Sequence, residues 1–240
     1  MKEKYVGYVL NSVDYKENDS ILSVLCEDGL VSFRARGVKK INSRNASSVM
    51  AYAYSEFEVD RSTKSGYLTL SEGRLLNYPS FIGSNLNYIA CVNIISEGIE
   101  ICNKEDSFKC FVDCLDCMKK GIDSKYILIA FLNYFLDKQG CKLNSDECVN
   151  CSSKKGIVKF SFESGGYLCS KCCNLVMDDM GYLKSMRILS KTNYDNIDRV
   201  DVSDIVAYSY IKEVITMIEN KCGIYFKSKS FLLKVLKGEN

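Results

Sequence analysis

The first third of the chain alternates apolar and polar positions. Val31, Phe33 and Ala35 are separated by serine and arginine, and Phe57 and Val59 lie among acidic residues. Alternation with a period of two is typical of β-strands that bury one face. The pattern predicts about five short strands before the only proline of the chain. A small closed barrel suits these strands, because closure removes exposed strand edges.

After Pro79 the spacing of the apolar residues becomes helical. An apolar residue every three or four positions predicts amphipathic helices that pack on one another. The predicted helices cover residues 84–102, 108–118, 124–138 and 203–223, with a short one after residue 228. The chain is therefore predicted to be α+β, with a five-stranded closed β-barrel in residues 1–80 and an all-helical domain in residues 81–240.

A cysteine- and glycine-rich module, residues 141–178, interrupts the helical pattern. It contains two Cys-x2-Cys pairs separated by seventeen residues, and the cysteines are Cys148, Cys151, Cys169 and Cys172. Four thiolates at this spacing around a short hairpin are typical of a structural, zinc-ribbon-like Zn²⁺ site. Cys173 is an alternative to Cys172 as the fourth ligand. Coincidence is the competing interpretation, since the chain holds 13 cysteines.

Two other features bear on catalysis. The spacing of Cys110, Cys114 and Cys117 matches that of radical-enzyme iron–sulfur ligands, but these cysteines lie on a helical pattern and are predicted to be core residues. The chain has no histidine, which excludes Ser-His-Asp and Cys-His catalytic sets. Most familiar hydrolase chemistry is therefore excluded. A thiol–disulfide oxidoreductase using one Cys-x2-Cys pair is the enzymatic alternative.

The net charge is only +2, so any nucleic-acid surface must be local. One dense basic run follows the third predicted strand, and its members are Arg34, Arg36, Lys39, Lys40 and Arg44. No acidic residue occurs between Gly29 and Ser55. The run predicts a surface that binds a nucleic-acid backbone, and a solvated strand edge is the alternative. Nearby aromatic rings that could stack on bases, or simply belong to the barrel, are Tyr5, Tyr8, Tyr15, Tyr52 and Tyr54.

Location is predicted from the apolar runs. The chain starts with no apolar signal core, and the longest apolar run, Ile127 to Leu136, is about half as long as a membrane helix requires. We expect a protein of the reducing cytoplasm without a membrane partner, in which cysteines bind metal or fill cores.

Four short motifs resemble those of the bacterial RecO recombination mediators. They are Gly7-Tyr8-Val9-Leu10, the segment from Tyr15 to Leu22, the segment from Ala35 to Lys40 with Ser43-Arg44, and the segment from Lys227 to Leu232. Each motif is moderately specific alone, and their order and spacing extend the resemblance over nearly the whole chain. The order of parts in that family, an OB barrel followed by a helical domain with a zinc module in many members, matches the layout predicted above.

The resemblance implies a function in DNA repair and recombination. Members of this family bind single- and double-stranded DNA, anneal complementary strands and work with RecR to help RecA replace single-strand-binding protein. They also bind the acidic C-terminal tail of single-strand-binding protein through the helical domain, where the cationic candidates are Lys125, Arg187, Lys212 and Lys227. The resemblance thus implies a nucleoid-associated protein that is not an enzyme. An RNA-binding or transcription-associated zinc-ribbon protein is the alternative from a different class.

Overall fold

The structure is a computed structural model that describes residues 2–63 and 66–238. Its first part is a five-stranded closed barrel, in which the strands neighbour one another in the order β1, β2, β3, β5, β4. The strands are β1 (Lys2–Tyr15), β2 (Asp19–Cys26), β3 (Gly29–Ala35), β4 (Tyr54–Arg61) and β5 (Leu68–Asn77). Arg34 of β3 pairs in parallel with Thr69 of β5, and the other neighbours are antiparallel. The predicted OB-type barrel is confirmed.

The barrel interior is filled by the apolar half of the alternating pattern. Val9, Leu22, Phe33 and Phe57 are buried, and the rings of Phe33 and Phe57 lie 5.1 Å apart. Gly7 allows β1 and β2 to approach closely, since a Cβ there would lie 2.3 Å from the Leu25 carbonyl oxygen. The alternation therefore assigns the inner and outer faces correctly, and it leaves the arginines of β3 and the following loop outside.

Six α-helices and a second hairpin follow among the described residues. The helices are α1 (Leu86–Cys102), α2 (Ser107–Lys119), α3 (Ser124–Lys138), α4 (Met180–Ser190), α5 (Asp204–Cys222) and α6 (Lys229–Lys237), and the hairpin is β6 (Ile157–Ser161) with β7 (Gly166–Cys169). Asp123 caps α3 by accepting a hydrogen bond from the Lys125 N–H, and Gly223 ends α5 in the left-handed conformation. The predicted helical domain is thereby confirmed.

The three cysteines with iron–sulfur spacing lie on α2. Cys110, Cys114 and Cys117 are all buried. Burial also raises the pKa of the Cys117 thiol, which opposes formation of a thiolate ligand. Their interpretation as small core residues is confirmed.

The chain divides into two compact units. One contains the barrel strands together with Ser96–Val112, and the other contains Asn85–Ile95 and the residues from Asp113 onward. Within the first unit, the Tyr8 ring lies 5.2 Å from the Phe111 ring. The predicted boundary at residue 80 stays a prediction about domains. Among the residues that the structure describes, no helix combines the length and the hydropathy needed to cross a membrane.

Candidate nucleic-acid interface and metal centre

The loop after β3 is tied to the turn between β1 and β2. Gly37 turns the chain with φ near 62°. Its N–H donates to Asp19 Oδ1 at 2.8 Å, and the Lys39 N–H donates to the Asn18 carbonyl oxygen at 3.2 Å. These bonds hold the basic loop against a turn that lies about twenty residues earlier in the chain.

Arg34, the first predicted DNA-binding residue, is already paired. Its Nε donates to Asp19 Oδ2 at 3.0 Å, and its Nη2 forms an ion pair with the same oxygen. The Arg34 guanidinium, followed in strength by the Gly37 N–H, lowers the pKa of the Asp19 carboxyl. The guanidinium also lies 4.9 Å from the centre of the Tyr15 ring. Arg34 therefore has a role in organising this surface.

Lys39 is paired in a weaker way. Its Nζ lies 2.7 Å from Asp14 Oδ2, and the Asp14 side chain is 73% exposed. Exposed ion pairs contribute little and exchange readily with solvent or another anion. A phosphate can therefore compete with Asp14 for Lys39.

The remaining basic residues of the run have no such partner. Arg36, Lys40 and Arg44 are exposed, and no described acid lies within ion-pair distance of them. Arg36 and Lys40 line an open pocket of about 460 Å³ together with Lys16, Glu17, Asn18, Asp19 and Gly37. The pocket brings three cationic side chains together on a concave surface, and such a surface can receive a phosphate group.

Lys16 was missed by the sequence analysis. It lies in the turn between β1 and β2 with φ near 59°, and β2 separates it from β3, in which the basic run begins. The signal that could have found it is the antiparallel strand register, which places the start of β2 beside both the end of β1 and the end of β3.

The candidate stacking tyrosines divide between two environments. Tyr8 packs on Tyr54, with ring centres 4.7 Å apart, and Tyr5 donates to Glu3 Oε2 at 2.6 Å. Tyr15 is the exposed member of the five, and the Arg34 guanidinium lies over its ring. Tyr15 is therefore the ring of this set that is open to a ligand, while Tyr8 and Tyr54 are only partly exposed and pack on each other.

The two Cys-x2-Cys pairs come together in the other compact unit. The sulfur atoms of the predicted ligands Cys148, Cys151, Cys169 and Cys172 all lie within 4.8 Å of one another. Cys173 lies outside this cluster, and its Sγ contacts the Leu175 carbonyl oxygen at 3.6 Å. The four clustered cysteines can hold a metal ion, and the open choice between Cys172 and Cys173 falls to Cys172.

Tight turns position each pair of thiols. The Cys148 N–H donates to the Ser153 carbonyl oxygen at 2.9 Å, and the Cys172 N–H donates to that of Cys169 at 3.0 Å. Gly166, at the start of β7, lets the backbone approach Asn144 closely, because a Cβ there would lie 2.0 Å from the Asn144 carbonyl oxygen. The sequence therefore builds the thiol cluster from two local turns and one close backbone contact.

The thiols of the cluster do not ionise equally. Burial of the Cys148 thiol opposes ionisation, but N–H groups of Cys169, Asn150 and Cys151 lower its pKa to about 6. The neighbouring thiols of Cys151 and Cys169 raise the pKa of Cys172 to about 12. Four adjacent thiolates need a cation to offset their repulsion, so the arrangement suits a metal ion.

Comparison with known proteins identifies the family that the chain resembles. The profile described as "Recombination protein O N terminal" matches residues 1–79, and "Recombination protein O C terminal" matches residues 85–230. A protein named "DNA repair protein RecO" from Bacillus pumilus (strain SAFR-032) is 27% identical over 253 residues, covering 99% of this chain and 98% of its own length. A protein of the same name from Bacillus cereus (strain AH187) is 26% identical over 242 residues, covering 97% of each chain.

Proposed function

Because this chain belongs to the RecO family of DNA repair proteins, we propose that its barrel binds the phosphate backbone of single- and double-stranded DNA. The observation that carries the proposal is the pocket where Lys16, Arg36 and Lys40 converge without a described ion-pair partner. Each cationic side chain that neutralises a phosphate releases counterions condensed on the DNA, and this release drives binding.

The residues of the interface have different roles in this proposal. Arg36, Lys40 and Arg44 contact phosphates directly, and Lys39 joins them by exchanging Asp14 for a phosphate. Arg34 is bound to Asp19 and holds the start of the loop, so it acts as a positioning residue. Contacts to phosphates position a nucleic acid without reading its sequence, as a repair protein acting on many sequences requires.

The activity that fits this surface is strand annealing. In the proposed role the protein pairs complementary strands and works with RecR to help RecA replace single-strand-binding protein on DNA. None of these steps makes or breaks a covalent bond, so the protein acts as a mediator and not as an enzyme. It works in the cytoplasm at the nucleoid, where its DNA substrate lies.

Two of the four cationic candidates for the acidic partner tail are already paired with acids. Lys125 is paired with Asp123 and Asp204, and Arg187 is paired with Asp146. Lys212 is exposed and has no ion pair with any residue that the structure describes. We therefore rank Lys212 first for the acidic tail of single-strand-binding protein.

The four-cysteine cluster is proposed to hold a structural zinc ion. Four protein thiolates fill a tetrahedral coordination shell and leave no position for a substrate. The ion would neutralise the adjacent thiolates and link the two turns that flank the β6–β7 hairpin. The first Cys-x2-Cys pair lies in a turn, the second spans the end of β7 and the turn after it, and the next described helix, α4, begins only at Met180. Redox dithiols of the thioredoxin type lie at a helix N-terminus, so this position disfavours the oxidoreductase alternative.

The test is an annealing assay on complementary strands coated with single-strand-binding protein, with and without its acidic tail. The protein should accelerate annealing, and Arg36→Gln with Lys40→Gln should slow it. Lys119→Gln with Lys120→Gln is the matched control, because it removes the same charge from exposed positions at and after the end of α2. Absence of annealing by the unmodified protein would refute the proposal, and tighter binding to RNA than to DNA of equal length would favour the RNA-binding alternative.

A further inference from the structure

The turns that hold the thiol cluster carry a second group of cations. The group consists of Lys154 and Lys155 after the first cysteine pair and Lys171 within the second. All three are exposed, and none forms an ion pair with a described residue. We call this group the metal-module lysines.

One backbone contact brings two of these lysines into the same region. In the β6–β7 hairpin Ile157 pairs with Cys169, and the Ser170 N–H donates to the Gly156 carbonyl oxygen at 2.9 Å. Lys155 and Lys171 are the chain neighbours of this bonded pair. Like charges that lie near each other repel, and an anionic ligand offsets such repulsion.

Acids nearby in the chain do not compensate this charge. Asp178 accepts hydrogen bonds from Lys159 Nζ at 2.8 Å and from the Phe160 N–H at 2.9 Å. Asp146 is shared by Arg187 and Lys191. Four thiolates around a metal ion would carry a net negative charge. Balancing that charge is a structural role for the lysines, and the second measurement below distinguishes it from ligand binding.

We propose that the metal-module lysines form a second DNA phosphate contact, in the compact unit that does not contain the barrel. The proposal rests on the proposed function, since it takes the same DNA as ligand. Ser152 and Ser170 are exposed beside these lysines, and hydroxyl groups among cations are common contacts to phosphate oxygens. A protein with a phosphate surface in each unit can engage two strands, or two segments of one strand, and annealing needs two strands.

The first experiment measures how salt affects binding of the full chain to single-stranded oligothymidylate. Lys154→Gln, Lys155→Gln and Lys171→Gln together should weaken binding to a long strand on the order of tenfold at physiological salt, and should lower the salt slope by roughly 0.7 per lost contact. A strand on the order of eight nucleotides, short enough for one OB barrel, should bind as before. The matched control is Lys119→Gln, Lys120→Gln and Lys184→Gln, which removes the same charge from exposed positions of the same unit.

A second measurement separates ligand binding from a structural role. Lys155→Gln alone removes one positive charge of the group, so the metal content and protease resistance should stay equal or rise while the affinity for the long strand falls. If the lysines only balance the thiolates, metal retention should fall together with DNA affinity, and the proposal is then wrong.

Other results of these experiments also test the proposal. Equal binding of the long strand by the metal-module variant and its control would overturn the proposal while leaving the barrel site intact. Loss of affinity for an acidic peptide, with DNA binding unchanged, would overturn it in favour of a protein partner. If Arg36→Gln with Lys40→Gln leaves both strand lengths bound as before, the barrel assignment fails, and a surviving effect of the metal-module variant still supports this second site. An unmodified protein that binds no DNA would refute both.

Discussion

The carboxylate of Asp19 and the guanidinium of Arg34 form an ion pair between the adjacent strands β2 and β3. The same carboxylate accepts the Gly37 N–H at 2.8 Å, at the point where the basic loop begins. One acid therefore fixes both the last arginine of the strand and the path of the loop. The proposed DNA binding therefore has two separable contributions, the charge of the surface and its preorganised shape.

The first prediction concerns Asp19→Asn, which removes a negative charge beside the proposed phosphate-binding surface. Simple charge arithmetic predicts tighter DNA binding, whereas loss of the hydrogen bonds that hold the loop predicts weaker binding. We expect single-strand affinity to fall on the order of a few fold, because hydrogen bonds to charged groups are among the stronger ones. Fluorescence anisotropy with a labelled oligonucleotide measures the change.

The control for this prediction is Asp14→Asn. Asp14 is largely exposed and contacts Lys39, so its substitution frees a cation without loosening the loop. DNA binding should then be equal or tighter. If both variants tighten binding to the same extent, Asp19 acts through charge alone and its positioning role is wrong.

The second prediction assigns phosphate contacts one at a time. Lys16→Gln, Arg36→Gln and Lys40→Gln should each reduce the slope of log affinity against log salt by roughly 0.7 on single strands. Lys39→Gln should have a smaller effect, because part of its charge is already opposed by Asp14. Affinity measured over a series of salt concentrations gives each slope. Unchanged slopes for all four variants would identify the surface as a solvated strand edge.

The sequence predicted the parts of this site that depend on local pattern. Alternation around Phe33 was enough to place the neighbouring arginines outside the barrel, and Cys-x2-Cys spacing was enough to bring the thiols together. It did not predict that Arg34 would be paired, because the partner carboxylate Asp19 comes from the start of another strand. Lys16 was missed for the same reason, since only strand register brings it to the pocket.

The third prediction concerns the metal centre. Replacing Cys148 and Cys151 together with serine should abolish metal binding and make residues 141–178 the first site of protease cleavage. A hairpin of two short strands has too small a core to offset its conformational entropy, whereas structural zinc contributes on the order of 10 kcal/mol in finger peptides. Metal analysis and limited proteolysis check both effects.

Cys173→Ser is the matched control for the metal centre. Its thiol lies outside the cluster and contacts the Leu175 carbonyl oxygen, so this variant should retain the metal and the resistance to protease. Loss of metal from the Cys173 variant would show that the fourth ligand is misassigned. A double variant that loses metal yet resists cleavage as before would show that the metal is not needed for folding of the module.

The last prediction concerns a peptide that ends in several aspartates and a terminal phenylalanine, as a mimic of the acidic partner tail. It should bind the full chain when the barrel is saturated with single-stranded DNA, because the tail site is predicted within residues 81–240. Lys212→Gln should weaken binding of the peptide, whereas Lys184→Gln, which replaces an exposed lysine on α4, should not. Added salt and removal of the phenylalanine should each weaken binding, since charge steers the peptide and the ring is buried. If DNA displaces the peptide, and Arg36→Gln with Lys40→Gln weakens binding of the peptide, then the two ligands share the barrel. Simple competition then replaces the two-site scheme.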